Sequence, residues 1–131
     1  MSSEPPAGDS ALRDATWRLL EPPLDIVIAT TGTGFRRWVE AADAWGIGEQ
    51  LRKVIGQATL LARGPEARDA IRAAGLREAW SAESLGEVLE YLTAGALEGK
   101  RVAVQLPGEP LPDLVQAPRR AGAEVIEVPA H

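Results

Sequence analysis

A single α/β domain, with a parallel sheet held between two layers of helices, is the fold this sequence predicts. Three observations predict it. Runs at 25–30, 58–62, 101–105 and 124–128 are rich in Val, Ile, Leu and Ala and scarcely alternate, as strands buried on both faces do. The stretches between them carry apolar residues at helical spacing. Finally, 131 residues with 45% apolar and 25% charged side chains match the size and composition of one globular domain. Strands alternating with helices imply right-handed crossovers, and thus a three-layer domain around a five-stranded parallel sheet. Among doubly wound sheets the flavodoxin-like order 2-1-3-4-5 is expected.

Residues 1–10, with Ser2, Ser3, Pro5, Pro6 and Gly8, read as a flexible lead-in to a domain over 11–131. Trp17, Leu19 and Leu20 end a helix ahead of Pro22-Pro23. The first strand breaks at Thr31-Gly32-Thr33-Gly34 and enters a helix with Phe35, Trp38, Val39, Ala42 and Trp45 on its apolar side. Trp38 and Trp45 read as core at that spacing. A helix over 48–55 presents Leu51, Val54 and Ile55. The second strand runs into Gly64-Pro65, where proline at a first helical position sacrifices no bonded N–H. Ala67, Ala70, Ile71 and Ala74 then form a narrow small-residue face, and Gly75 marks the helix stop. A short third strand is expected over 77–80, followed by a helix with Leu85, Val88, Leu89 and Leu92 on one face. Glu83, Glu87 and Glu90 read as solvated charges on the opposite face. The Gly99-Lys100 turn leads to the fourth strand. The last helix spans about 112–121 with Pro118 inside it, and the fifth strand follows.

Composition narrows the chemistry. A net charge of −5 disfavours nucleic acid, which needs a basic stripe, and disfavours an anionic membrane surface. No apolar run approaches the roughly 20 residues of a membrane span, and the first residues lack a signal-peptide pattern. With no cysteine, neither disulfides nor thiolate metal sites are expected, and a cytoplasmic monomer without cofactor is the default expectation. Gly32-Thr33-Gly34 is no dinucleotide fingerprint: Arg37 stands where the third glycine belongs, and Arg63 ends the second strand in place of a ribose-binding acid. Gly99-Lys100 precedes a strand and lacks the upstream glycine of a phosphate loop. His131, the single histidine, is the last residue and a poor scaffold for a catalytic triad.

Ligands of open parallel sheets bind beyond the carboxyl ends of the strands. That edge should carry Thr30-Thr31-Gly32-Thr33-Gly34, the Gly64-Pro65-Glu66-Ala67 turn and the loop with Gly108. The first two open onto helix N-termini, where free N–H groups and the helix dipole suit a carboxylate or phosphate.

The stretch Ala62-Arg63-Gly64-Pro65-Glu66-Ala67-Arg68-Asp69-Ala70-Ile71-Arg72-Ala73-Ala74-Gly75-Leu76 resembles the Gly-Pro-Lys-Thr-Ala-x-x-Leu-Arg-x-x-Gly-Leu signature of uroporphyrinogen-III synthases. The strand and loop from Asp25 to Phe35, and the run Arg120-Ala121-Gly122-Ala123-Glu124-Val125, are similar to further parts of that family, in order and in register, most closely to actinobacterial members. The resemblance implies a hydro-lyase of porphyrin and heme biosynthesis, closing hydroxymethylbilane to uroporphyrinogen III with inversion of the last pyrrole and loss of water. It implies two α/β domains with the tetrapyrrole between them, of which these residues resemble only the inserted one. It also implies main-chain recognition of a polyanionic tetrapyrrole by Thr30, Thr31, Gly32, Thr33, Gly34, Gly64, Pro65, Glu66, Ala67 and Gly108. Two departures concern chemistry: Ala67 stands where the family often has Thr, and His131 where it often has a tyrosine suited to assist hydroxyl departure. No confident catalytic residue emerges. The expectation is a truncated half with little activity alone; a non-catalytic tetrapyrrole-binding or regulatory module is the alternative.

Overall fold

The computed structural model describes residues 7–21 and 23–130, with the side chains of 7–9 left aside. Its elements are α1 (Ala7–Leu19), β1 (Ile26–Ala29), α2 (Gly32–Ala44), α3 (Gly48–Gln57), β2 (Thr59–Arg63), α4 (Gly64–Ala73), β3 (Trp80–Ala82), α5 (Leu85–Thr93), β4 (Arg101–Leu106), α6 (Pro112–Arg120) and β5 (Glu124–Pro129). Helix α1 thus begins inside the expected lead-in, whose residues 1–6 lie outside the described ones.

All strand pairs are parallel, and the sheet order is β3-β2-β1-β4-β5. The three-layer, flavodoxin-like α/β class holds, but the literal order 2-1-3-4-5 does not. The third strand lies at the outer edge beside β2, not between β1 and β4. Short α4, with its small-residue face, carries the chain only one strand further out on the same side. The direction of winding then reverses, so β1 and β4 flank the switch point. Strand β3 also falls later than 77–80, because Glu78 is drawn into a two-point ion pair with Arg72 and pairing starts only at Ala79, whose N–H donates to Leu60 O at 2.7 Å.

The non-alternating strands are explained by two cores. Val27, Ala29, Leu60, Ala62, Ala103, Ile126 and Val128 point to the face covered by α1–α4, where Phe35, Trp38, Leu51, Ile55 and Ile71 complete the packing. Ile28, Leu61, Val102, Val104 and Val125 point to the face covered by α5 and α6, against Val88, Leu92, Leu114 and Val115. Trp38 is wholly buried as expected, with its indole N–H donating to Thr16 Oγ1 at 2.9 Å; Thr16 donates in turn to Leu12 O at 2.7 Å. This chain of bonds satisfies the buried polar atoms while fixing α1 on α2. Trp45 is half-buried at the edge of the same core.

At the surface, Arg52 and Asp43 form a two-point pair at 2.8 and 3.0 Å, and that hydrogen bonding holds the Asp43 carboxyl below its usual range. Burial pushes the Glu78 carboxyl up, but its own backbone N–H and the Arg72 guanidinium bring it below the usual carboxylate range. Both pairs stabilise the fold above the ordinary carboxylate pKa, and that contribution fades as pH falls through the lowered values.

Candidate functional site

At the carboxyl edge of the sheet a cleft of about 300 Å³ opens between the loops after β1, β2 and β3. Thr30, Thr31 and Gly32 form one wall; Arg63, Gly64, Pro65 and Glu66 form the other, and Glu83 closes the end. The expected loop residues Thr30, Thr31, Gly32, Gly64, Pro65 and Glu66 are therefore brought together. Thr33 is exposed on the first turn of α2, while Gly34 and Ala67 are buried beneath the walls. Gly108 is exposed on the loop after β4 and does not line the cleft. His131 lies outside the described residues.

The two walls meet because residue 32 has no side chain. A Cβ there would lie 2.5 Å from the Glu66 carbonyl oxygen, so the first turns of α2 and α4 touch through backbone. On the other side Gly64 adopts φ +85°, a left-handed conformation that turns the end of β2 directly into α4. Pro65 follows as expected, and no side chain caps the helix.

The N–H groups of the β1 loop divide into two sets. Those of Thr30 and Thr31 donate to Gln105 Oε1 at 2.8 and 3.0 Å. Those of Gly34 and Phe35 donate to Thr31, to its hydroxyl and carbonyl oxygens respectively. Gly32 and Thr33 keep free N–H groups, as do Gly64 and Glu66 on the other wall, each without an acceptor among the described residues. Two helix ends thus direct unengaged donors and the positive ends of their dipoles toward one cleft, an arrangement suited to carboxylates. The side chains do not add to this preference, for Arg63 is the lining cation while Glu66 and Glu83 are acidic. The donors suited to an anion here are backbone groups.

Two residues of the site escaped the sequence reading. Glu83 precedes α5 instead of lying on its solvent face; its N–H donates to Glu87 Oε2 at 3.4 Å, while the Glu87 N–H donates to the cap residue Ser84 at 3.2 Å. The Ser84-x-x-Glu87 spacing of a capping box was the available signal, and it moves Glu83 to the cleft. Gln105 carried a signal too, being the polar residue in the buried run Val102-Ala103-Val104-Gln105.

Other depressions offer less chemistry. An open one of about 480 Å³ lies at the amino edge of the sheet beside Trp17, Arg18, Glu21, Arg101 and Glu124. Its Arg101 is committed to the carbonyls of Arg18, Glu21 and Pro23. An apolar one of about 200 Å³ lies between α5 and the start of α6.

Comparison with known proteins supports the fold and gives the family. The family model of uroporphyrinogen-III synthase HemD matches residues 1–131. The chain belongs to the uroporphyrinogen-III synthase family. Crystal structures of uroporphyrinogen III synthase from Thermus thermophilus superpose on it with a TM-score of 0.75: one, a mutant form, at 33% identity over 91% of this chain and 45% of that chain. Another does so at 29% identity over 98% of this chain and 49% of that one. The protein YjjA of Bacillus subtilis is 31% identical over 110 residues, covering 82% of this chain and 41% of its own length. The chain therefore spans less than half the length of each of these relatives. No helix among the described residues is long and apolar enough to cross a membrane.

Proposed function

We propose that this domain supplies one wall of a tetrapyrrole site, and that with a second wall it serves the closure of hydroxymethylbilane to uroporphyrinogen III with loss of water. The observation that carries this reading is the pair of helix ends bringing Gly32, Gly64 and Glu66, with their free N–H groups, to one cleft. Carboxylates of the substrate would seat on these donors, and fixed dipoles would hold the chain of pyrroles for loss of its hydroxyl and for spiro closure. The cleft is partly open to solvent. On its own the domain leaves a bound intermediate in water, where closure without inversion competes.

With hydroxymethylbilane as substrate, the chain alone is expected to give the III isomer at no more than the spontaneous background. Separation of the I and III isomers by chromatography reads the result, and a III yield well above background overturns the half-site reading. A non-catalytic tetrapyrrole-binding role is the second reading, favoured by a cleft whose unengaged donors are backbone N–H groups.

Binding separates that role from none at all. Uroporphyrin should bind weakly, losing affinity as salt rises. Gly64→Ala, which strains the φ +85° turn and re-aims its N–H, should weaken binding about tenfold. Glu83→Gln, which removes a negative charge from the cleft, should strengthen it about two- to fivefold. Glu90→Gln on exposed α5 should do neither. Equal responses of all three in fluorescence titrations would mark the binding as non-specific.

A further inference from the structure

Among the described residues the buried polar side chains are Thr16, Thr30 and Gln105, and Gln105 is 0% exposed near the carboxyl end of the interior strand β4. A buried amide needs partners for both ends, and every partner of this one belongs to the cleft wall or to the end of the neighbouring strand. Its Oε1 accepts from the N–H groups of Thr30 and Thr31 at 2.8 and 3.0 Å. Its Nε2 donates to Thr31 Oγ1 at 3.2 Å and to Ala130 O at 2.7 Å. Thr30 Oγ1 donates to the Gln105 main-chain carbonyl at 2.6 Å. Thr31 Oγ1 also accepts from Gly34 N, so the group that caps α2 is itself held by Gln105.

We propose that Gln105 is the positioning residue of the cleft. It withdraws the Thr30 and Thr31 N–H groups from any ligand and aims α2 through the Thr31 cap. Gly32 and Thr33 are thereby left as the donors the β1 loop can offer to a carboxylate. The residue has no direct access to the cleft; its effect runs through the backbone of the loop. A strand residue serving only the core would be apolar here, as Val104 and Val102 are on the same strand. The polar choice makes sense if the loop, not the sheet, is what must be fixed. The proposal rests on the tetrapyrrole reading for the identity of the ligand, but not for the placement of the loop.

Two measurements on the whole chain keep those apart. The first is amide hydrogen exchange of the free protein, compared between Gln105→Leu and Leu92→Ala. Leu92 is buried on the opposite face of the sheet, so Leu92→Ala loosens the core without touching the loop. After correction for global stability, exchange at Thr30 and Thr31 should rise at least tenfold in Gln105→Leu and stay within twofold in Leu92→Ala. If Gln105→Leu does not fold, Thr31→Val gives a narrower pattern: exchange rises at Gly34, which loses its cap, and not at Thr30, whose acceptor remains. The second measurement is uroporphyrin affinity under conditions where each variant is fully folded. It should fall at least tenfold in Gln105→Leu and remain unchanged in Leu92→Ala. Exchange that rises equally in both variants, or affinities that fall equally, would overturn the positioning role. A wild-type chain that binds no uroporphyrin would refute the tetrapyrrole reading, while the exchange data would still decide the role of Gln105.

Discussion

Gly34→Ala should destabilise the protein by about 2–4 kcal/mol, although the position is the third residue of a helix. On propensity alone alanine should gain about 1 kcal/mol over glycine. The surroundings reverse that sign. A Cβ at residue 34 would overlap Gln105 Nε2 and the Ala130 carbonyl oxygen and lie 2.7 Å from Thr31 Oγ1. Two of these three atoms belong to the bonded set that fixes the β1 loop, and Ala130 O is the acceptor that draws β5 toward it. Relief therefore requires breaking buried hydrogen bonds or moving α2 away from the sheet, and both are costly. Gly56→Ala provides the contrast. That glycine lies in α3, exposed, with Leu76 Cδ2 at 3.6 Å as its nearest neighbour, an ordinary contact. Its replacement should gain about 0.5–1 kcal/mol. Urea midpoints of opposite sign for the two variants are the expected result. A Gly34→Ala midpoint at or above wild type would mean that the loop yields easily, and it would weaken the case for a rigid cleft wall.

The sheet and most helices were legible because their causes are local. Runs such as Ile26-Val27-Ile28-Ala29 are apolar on both faces, and both faces are covered. Pro65 marks the start of α4 as its chemistry requires, and Gly75, φ +80°, follows its end. Strand order was less legible, since it depends on how far each crossover carries the chain. No residue near β3 announces that it pairs outside β2. Within the cleft, Thr30, Thr31, Gly32, Gly64, Pro65 and Glu66 were reachable by the rule that ligands meet strand ends. Gly34 and Ala67 share that stretch of sequence, but helical rotation turns them inward to packing roles. The polarity of Gln105 in a buried run was a signal, but its partners could not be read from the sequence. Its partners Thr30, Thr31 and Ala130 lie far from it along the chain, and only the parallel register of β1, β4 and β5 gathers them.

Pro118→Leu should raise stability by about 1–3 kcal/mol, because α6 runs through this proline to Arg120. Proline in a helix interior removes one internal bond, here the one residue 118 would donate to the carbonyl of Leu114, and crowds that carbonyl. The turn does not end there: Ala121 N donates to both Ala117 O and Pro118 O, and Ala123 N donates to Pro118 O at 3.0 Å. The proline thus lies inside the helix but in its last turn, beside the C-terminal cap formed by Ala121 and the residues after it. Two effects oppose the gain. Pro118 is buried, so a larger side chain must find room beside Leu114 and Val115, and the unfolded chain regains freedom when proline is removed. Pro118→Ala isolates the backbone contribution: it restores the N–H without adding volume, loses some apolar burial, and should gain about 1 kcal/mol. If alanine stabilises and leucine does not, the site is too tight for the larger residue. If the denaturant midpoint falls for both, the helix depends on proline's rigidity, and the assignment of a strained interior position to residue 118 is wrong.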